Sequence, residues 1–352
     1  IIFSSQLSNI NFFLLDLILS FNTSYKFFLV TRNDVKPINY TNITYINFNF
    51  NRKISIFNDL KNIYQLYKIT KKINPNLILS ITPKVGFLIT LINLLSNFNR
   101  IHFYTGQIWY NKKGLLKFFF KYLDKLSLIN SKLCFVDSKS QLNYLIKEGF
   151  NKKKLKLINH GSICGVDTSL YKKNLSYKIN FFNKYNLKTD TIVILFMGRI
   201  TKDKGFWELI NLYEKLKNIN LQFKLVLVGN DEELLLMNLK NYRKNIFSDL
   251  IILKHTNEPQ KILCCADVFI LLSKREGFGL SVIQASSCEL PVIGKNIVGL
   301  QDSIIDNQTG ILIDDIEDIK DFKKILLLLK DYKKRLLYGK NGRIYVQNKF
   351  EK

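Results

Sequence analysis

A length of 352 residues favours two domains on the soft prior of about 150 residues each, and a 47% hydrophobic content is enough for two substantial cores. The formal net charge of +25 invites a nucleic-acid or membrane-surface partner. The chain is saturated with Lys, Asn and Ile, however, and its only alanines are Ala266 and Ala285, a coding skew that raises Lys whatever the function; with no recognised nucleic-acid motif, a nucleic-acid partner is set aside.

Strand and helix patterns alternate throughout, which predicts an α/β fold on parallel sheets. Residues 1–4 read as a first strand, 10–21 as a helix and 26–31 as a second strand. The opening residues lack a signal peptide's basic start and cleavage pattern. Asp16 interrupts the apolar run 12–21, and 87–95 is too short, so no run spans a bilayer. The absence of glycine before Gly86 removes a dinucleotide fingerprint from the first βα turn and argues against a simple nicotinamide enzyme. Strands follow at 43–50 and 77–81 around a helical stretch at 56–73, and then at 101–104, 132–136 and 155–158. Ser138-Lys139-Ser140-Gln141 has capping-box spacing and opens a helix to about residue 147.

The segment from Lys112 to Leu126 places Lys113, Lys117, Lys121 and Lys125 on one helical stripe. Leu115, Leu116, Phe118, Phe119, Phe120, Tyr122 and Leu123 fill the rest. A cationic face beside a broad aromatic one suits the headgroup boundary of an anionic membrane. The alternative is an ordinary amphipathic helix on its sheet with the lysines in water.

After a polar stretch to residue 188 holding one short helix, the second half reads strand 191–197, helix 206–216, strand 221–228, helix 232–241 and strand 250–253. A last helical region covers 321–345. The strand at 191–197 ends in Gly198-Arg199-Ile200-Thr201-Lys202-Asp203-Lys204-Gly205. Its glycines allow close approach to the backbone, Arg199 offers a planar fork for phosphate oxygens, and Lys204 offers a mobile point charge. Further on, Arg275-Glu276-Gly277-Phe278-Gly279-Leu280 leads straight into a helical pattern carrying Gln284. There the amides of Gly277, Phe278, Gly279 and Leu280 and a helix N-terminus can face a phosphate, while Glu276 accepts hydrogen bonds from sugar hydroxyls. The five cysteines, Cys134, Cys164, Cys264, Cys265 and Cys288, fit neither a disulfide framework nor a zinc spacing, and no metal site is expected.

These two segments together resemble the family 4 glycosyltransferases of the GT-B architecture, in which two Rossmann-like domains with parallel sheets face each other across a cleft. Lys261 to Ser273, the Asn296-Ile297-Val298-Gly299-Leu300 segment and Thr309-Gly310-Ile311-Leu312 extend the resemblance. Thr82-Pro83-Lys84-Val85-Gly86, Tyr104-Thr105-Gly106-Gln107-Ile108-Trp109 and Gly165-Val166-Asp167 are similar to a bacterial surface-polysaccharide subgroup. The resemblance implies a retaining, metal-independent transferase that takes a nucleotide-diphosphate sugar as co-substrate and uses no other cofactor. It assigns Arg199 and Lys204 to the diphosphate and Glu276 to the donor sugar, the three expected catalytic residues, with Gly198 and the 277–280 amides beside them. It assigns Gln284 to the ribose, where the family carries a second Glu; the alternative for Gln284 is an exposed polar residue of its helix. His255 and Thr256 fall where the family meets the nucleotide base.

On the acceptor side the expected residues are Lys84, Thr105, Gly106, Gln107 and Trp109, with core packing as the alternative for Trp109. Many family members carry a histidine on the 105–107 loop, whereas His102 falls inside a predicted strand and takes no such role. The expected layout is an acceptor-side domain over 1–168, a linker over 169–188, a donor domain over 189–335 and a final helix over 336–352 crossing back to the first domain. A glycan or undecaprenyl-linked acceptor and a cytoplasmic location, peripheral on the inner face of the membrane, complete the expectation. The rival reading is a non-catalytic nucleotide-sugar binder or partner subunit.

Overall fold

The computed structural model describes residues 1–21, 24–50, 55–219 and 222–352. The chain divides into two compact units, Ile1–Cys164 and Gly165–Lys352. The segment 169–188, with its one helix, and the last helix group with the second unit.

The first unit runs β1 (Ile2–Phe3), α1 (Leu7–Phe13), α2 (Leu15–Ser20), β2 (Phe27–Thr31), β3 (Ile43–Asn47), α3 (Ile56–Ile73) and β4 (Ile78–Ile81). It continues through α4 (Pro83–Ser96), β5 (Arg100–Tyr104), α5 (Gly114–Ile129), β6 (Leu133–Val136), α6 (Lys139–Lys147) and β7 (Leu155–Leu157). The single helix expected over 10–21 is two, parted at Leu14, whose φ of −126° lies outside the helical range. The capping signal at Ser138 is realised: Ser138 Oγ accepts from the Gln141 amide at 3.2 Å. The Gln141 side chain turns back to the amide of Asp137, one residue before the cap.

The second unit runs α7 (Leu175–Lys184), β8 (Ile192–Met197), α8 (Phe206–Lys217), β9 (Phe223–Val228), α9 (Leu235–Tyr242), α10 (Lys244–Asp249) and β10 (Ile251–Leu253). Then come α11 (Pro259–Leu263), β11 (Val268–Leu271), α12 (Leu280–Ser287), β12 (Val292–Lys295), α13 (Leu300–Ser303), β13 (Gly310–Ile313), α14 (Ile319–Lys330) and α15 (Tyr332–Lys349). The expected strand start at Leu221 lies outside the described residues. The helix expected from 232 begins at Leu235, because the Asp231 carboxylate caps the amides of Leu235 and Leu236. The last helical region is broken at Asp331, which caps α15 by accepting from the Lys334 amide. Within the unit α15 packs on α12, and its end pairs back through the bridge Val166↔Glu351.

Both sheets are parallel and doubly wound. The first has the order β3-β2-β1-β4-β5-β6-β7 and the second β10-β9-β8-β11-β12-β13. In each, the order reverses beside the unit's first strand: at β1/β4 and at β8/β11. Open α/β sheets bind ligands at such a reversal, outside the carboxyl ends of the strands. Strand β11 is apolar and buried at every position, and β8 at all but Met197, as strands covered on both faces require. Their register pairs Val268 with Ile194 and Phe269 with Leu195, so the loops that follow them emerge side by side.

Candidate functional site

The loop after β8 and the loop after β11 are tied together along their backbones. The Lys274 amide donates to the Asp203 carbonyl at 2.8 Å, and Arg275 Nη2 reaches the Asp203 carboxylate at 3.5 Å. Above this tie Lys204 Nζ lies 2.5 Å from Glu276 Oε1 in a pair that is largely covered, with the side chains 20% and 11% exposed. The turn that delivers Lys204 closes on Gly205, at φ +77°. A Cβ there would stand 2.1 Å from the Leu272 carbonyl oxygen, so only glycine lets the two loops approach this closely. The same holds at Gly299, φ +96°, where a Cβ would meet the Gly277 and Glu276 carbonyl oxygens at 2.7 and 2.9 Å. The segment 296–300 is therefore a floor under the acidic loop.

Helix α12 starts immediately behind this loop, with Gly279 as its N-cap. Its first amides have no intrahelical acceptor and concentrate partial positive charge beside Lys204 and Glu276. Leu280 opens the helix, and the Phe278 side chain is buried against Phe350, ring centroids 5.0 Å apart. The hydroxyls of Thr201 and Ser273, under the two loops, are buried without a hydrogen-bond partner among the described residues.

Arg199 does not join the Lys204–Glu276 pair. Its Nη1 pairs with Glu232 Oε2 at 3.1 Å, and its side chain is 47% exposed. The neighbouring Glu233 carboxylate accepts from the Lys202 amide at 3.1 Å, so the loop after β9 braces the loop after β8. Gln284 is buried on α12, and its Nε2 donates to the Tyr171 hydroxyl at 3.0 Å. The exposed alternative for Gln284 is thereby excluded. His255 and Thr256 follow β10 at the same carboxyl edge of the sheet, His255 exposed and Thr256 Oγ1 accepting from the Glu258 amide at 3.0 Å. Sequence reasoning missed Asp203, Glu232, Glu233 and Tyr171. The one signal of the three acids was a charge beside a cation-bearing loop, too common to single them out, and Tyr171 had none.

In the first unit the expected acceptor residues part company. Trp109 lines no open surface: it is fully buried, stacked on Tyr144 and Phe150, with Nε1 donating to Asp124 Oδ2 at 2.7 Å. Its aromatic area is worth more inside the cluster of Tyr104, Leu128, Val136 and Leu145 than at a rim. Gln107 is also buried, accepting from Gln141 Nε2 at 3.3 Å. Thr105 is half-buried and Gly106 buried in the loop after β5, at the carboxyl edge of the sheet. Lys84, in the first turn of α4, pairs with Asp59 at 2.9 Å. His102 lies buried inside β5 against Ser80, 2.9 Å from the serine hydroxyl, in the strand where the sequence placed it.

The alternative reading of the 112–126 segment, an amphipathic helix with its lysines in water, does not hold for α5 (Gly114–Ile129). Lys117 and Lys121 both pair with Glu148, at 3.5 and 2.5 Å, and both sit 5.9 Å over the Trp109 ring. The apolar stripe of α5 is the exposed one.

The two halves match two family models: "Glycosyl transferase 4-like" over residues 1–138 and "Glycosyl transferases group 1" over residues 178–345. The chain belongs to the family 4 glycosyltransferases. The glycosyltransferase is 28% identical over 305 residues to the capsular polysaccharide biosynthesis glycosyltransferase CapM of Staphylococcus aureus, covering 85% of this chain and 79% of that protein. It is 27% identical over 312 residues to the UDP-Gal:alpha-D-GlcNAc-diphosphoundecaprenol alpha-1,3-galactosyltransferase of Escherichia coli, covering 85% and 78%. Its fold is that of the solved Anabaena protein HepE in complex with UDP-glucose, with a TM-score of 0.77 at 15% identity over 99% of this chain and 95% of that one. The expected GT-B architecture and a nucleotide-sugar-dependent glycosyltransferase activity are therefore established.

Proposed function

We propose that the glycosyltransferase moves a sugar, with retention and without a metal, from a UDP-sugar to a lipid-linked saccharide of bacterial surface polysaccharide. The observation that carries the donor half is the Lys204–Glu276 pair at the β8/β11 reversal, with the N-terminus of α12 beside it. As the anomeric bond breaks, negative charge grows on the diphosphate and positive charge on the sugar ring. Lys204, Arg199 and the 277–280 amides stabilise the leaving group by preorganised electrostatics. Glu276 orients the sugar and favours the oxocarbenium-like state. Gly198 leaves room for the diphosphate, Gln284 with Tyr171 lies behind the ribose, and His255 and Thr256 lie toward the base.

The choice of UDP rests on the Anabaena and Escherichia coli proteins. The acceptor class rests on the Escherichia coli galactosyltransferase and the Staphylococcus aureus capsule protein. Thr105 and Gly106 supply the first unit's contacts to it, at the cytoplasmic face of the membrane. No helix among the described residues is long and apolar enough to cross one.

The test is thermal stabilisation by UDP-, GDP-, TDP- and ADP-sugars, with and without Arg199→Ala, because a ligand bound only by the folded state raises its stability. Selective stabilisation by a UDP-sugar, weakened in the variant, is expected; no response from a well-folded sample overturns the donor site. A non-catalytic sugar-nucleotide binder is the second reading, favoured by the engagement of Gln284 with Tyr171 at a position where the family has an acid. Transfer that Glu276→Ala abolishes removes it.

A further inference from the structure

Gln284 sits one turn behind Leu280, the first residue of α12, about 6 Å along the helix. A carboxylate at that place would present two equal oxygens to a ribose, whichever way it turned. An amide does not: one end accepts and the other donates, so its use depends on which end faces the ligand. The structure fixes the choice. Gln284 Nε2 donates to the Tyr171 hydroxyl at 3.0 Å, in a contact where both residues are buried. Oε1 is then the end turned away from Tyr171, and it accepts no hydrogen bond among the described residues.

Tyr171 is itself held. Its carbonyl accepts from Ser287 Oγ at 2.6 Å and from Arg343 Nη1 at 2.9 Å, so its backbone is fixed to the end of the same helix that carries Gln284. Arg343 also donates to the Ser287 carbonyl at 2.5 Å and to the Thr168 carbonyl at 3.1 Å. One guanidinium thus joins α15, the last turn of α12 and the segment from Thr168 to Tyr171. A cation is favoured at a helix C-terminus, where carbonyls lack intrahelical donors. Only close packing lets a side chain of α15 reach them, and two glycines provide it. A Cβ at Gly339 would stand 2.1 Å from the Glu289 carbonyl oxygen, and one at Gly342 3.2 Å from Ser286 Cβ. Just past α15, the Glu351 carboxylate accepts from the Thr168 amide at 3.1 Å and from the Thr168 hydroxyl. The carbonyl contacts alone would hold α15 in place. The Tyr171 hydroxyl adds nothing to that task, and its partner is Gln284.

We propose that Tyr171 and Arg343 are positioning residues for the donor. Tyr171 orients the Gln284 amide so that Oε1 accepts from a ribose hydroxyl, as one oxygen of a carboxylate would, and Arg343 holds Tyr171 against α12. The inference rests on the reading of a nucleotide-sugar donor with its ribose at Gln284. It accounts for an amide where the family has an acid, and it gives α15 a task inside the second unit.

Calorimetric titration of the full chain with UDP and with 2′,3′-dideoxy-UDP tests it, because the two differ only in the ribose hydroxyls. The parent is expected to bind UDP tighter by roughly five-fold or more, about what one net hydrogen bond contributes. Tyr171→Phe is expected to keep most of the affinity for the dideoxy nucleotide and to lose the preference, because the amide is no longer oriented. Arg343→Lys, which keeps the charge but not the fork, is expected to lose part of the preference. Tyr171→Phe/Gln284→Glu is expected to regain it, since a carboxylate needs no orienting. Binding of the dideoxy nucleotide, retained through the diphosphate, shows that each variant is folded. A merely structural brace would weaken both nucleotides alike, so a parental ratio in Tyr171→Phe overturns the proposal. So does a parent that binds both nucleotides equally, or a double variant that stays without preference. A parent that binds neither nucleotide overturns the donor reading and this one with it. A parent that prefers UDP, with the ratio unmoved in every variant, overturns this one alone.

Discussion

Lys204 and Glu276, 72 residues apart in sequence, meet at 2.5 Å because β8 and β11 are sheet neighbours whose loops leave the same edge. Each neutralises the other. On the proposed reading a donor engages both, its diphosphate drawing on the lysine and its sugar on the carboxylate. Lys204→Met should therefore lower kcat/KM for transfer by roughly 10²–10³-fold, the scale seen when one preorganised donor to a developing anion is lost. Glu276→Gln should lower kcat by a similar order with a smaller change in donor KM, because the amide keeps hydrogen bonds but not the charge that favours the oxocarbenium-like state. Steady-state kinetics with a UDP-sugar decide both; an unchanged kcat in Glu276→Gln would remove the carboxylate from the mechanism.

Arg199 is held away from this pair by Glu232, at the half-exposed surface of the loop after β9. Exposed ion pairs of this kind are worth up to about 1 kcal/mol, so the clasp is weak enough for a diphosphate to break. Glu232→Gln should free the guanidinium and remove a nearby negative charge, tightening donor binding by up to about five-fold. Calorimetric titration at low and moderate salt checks this. Weaker donor binding in Glu232→Gln would instead make the carboxylate a splint that aims Arg199.

The Gln284–Tyr171 contact is buried, so its loss is a question of stability. Tyr171→Phe leaves Gln284 Nε2 without this acceptor and should cost about 1–3 kcal/mol, measured by denaturant unfolding. A variant as stable as the parent would mean that the amide finds another partner and that Gln284 is free to turn toward a ribose.

Both donor loops were legible in the sequence because each follows an unbroken apolar run and each brings glycines and charge at its end. The sheet neighbours that join them were legible only through the resemblance. Periodicity could not tell which face of α5 is buried, since apolar residues occupy most of the helix from Leu115 to Leu123; the decision is made by Trp109 and Glu148, which draw the lysine stems inward. Trp109 itself read equally as a rim or a core residue until its Nε1 found Asp124. The break at Asp331 was hidden because apolar spacing continues across it, and the cap that ends one helix and starts the next is a single side-chain bond.

His102 gives the first unit a pH dependence whose direction is fixed by burial. The ring is enclosed beside the Arg100 guanidinium and edge-on to Tyr104, centroids 4.8 Å apart. Arg100 is itself fully buried, satisfied by Ser80, Thr90, Ser127 and the Gly86 carbonyl, and its own pKa is lowered by that burial to about 10. Desolvation first, and then the charge of Arg100, hold the His102 pKa well below its ordinary 6.5. In the folded state the ring therefore stays neutral while the unfolded chain takes up a proton. Stability rises with pH wherever the unfolded state binds more protons, so this contribution is whole above about 6.5 and is lost progressively as pH falls toward the depressed folded value. The slope approaches about 1.4 kcal/mol per pH unit for one such group. The chain's other two histidines, His160 and His255, are exposed. Denaturant unfolding between about pH 5 and about 6.5 should thus show a stability loss that His102→Asn flattens, whatever the variant's absolute stability. An equal slope in parent and variant would mean that the ring is protonated in the folded protein, with Ser80 and not burial governing its charge.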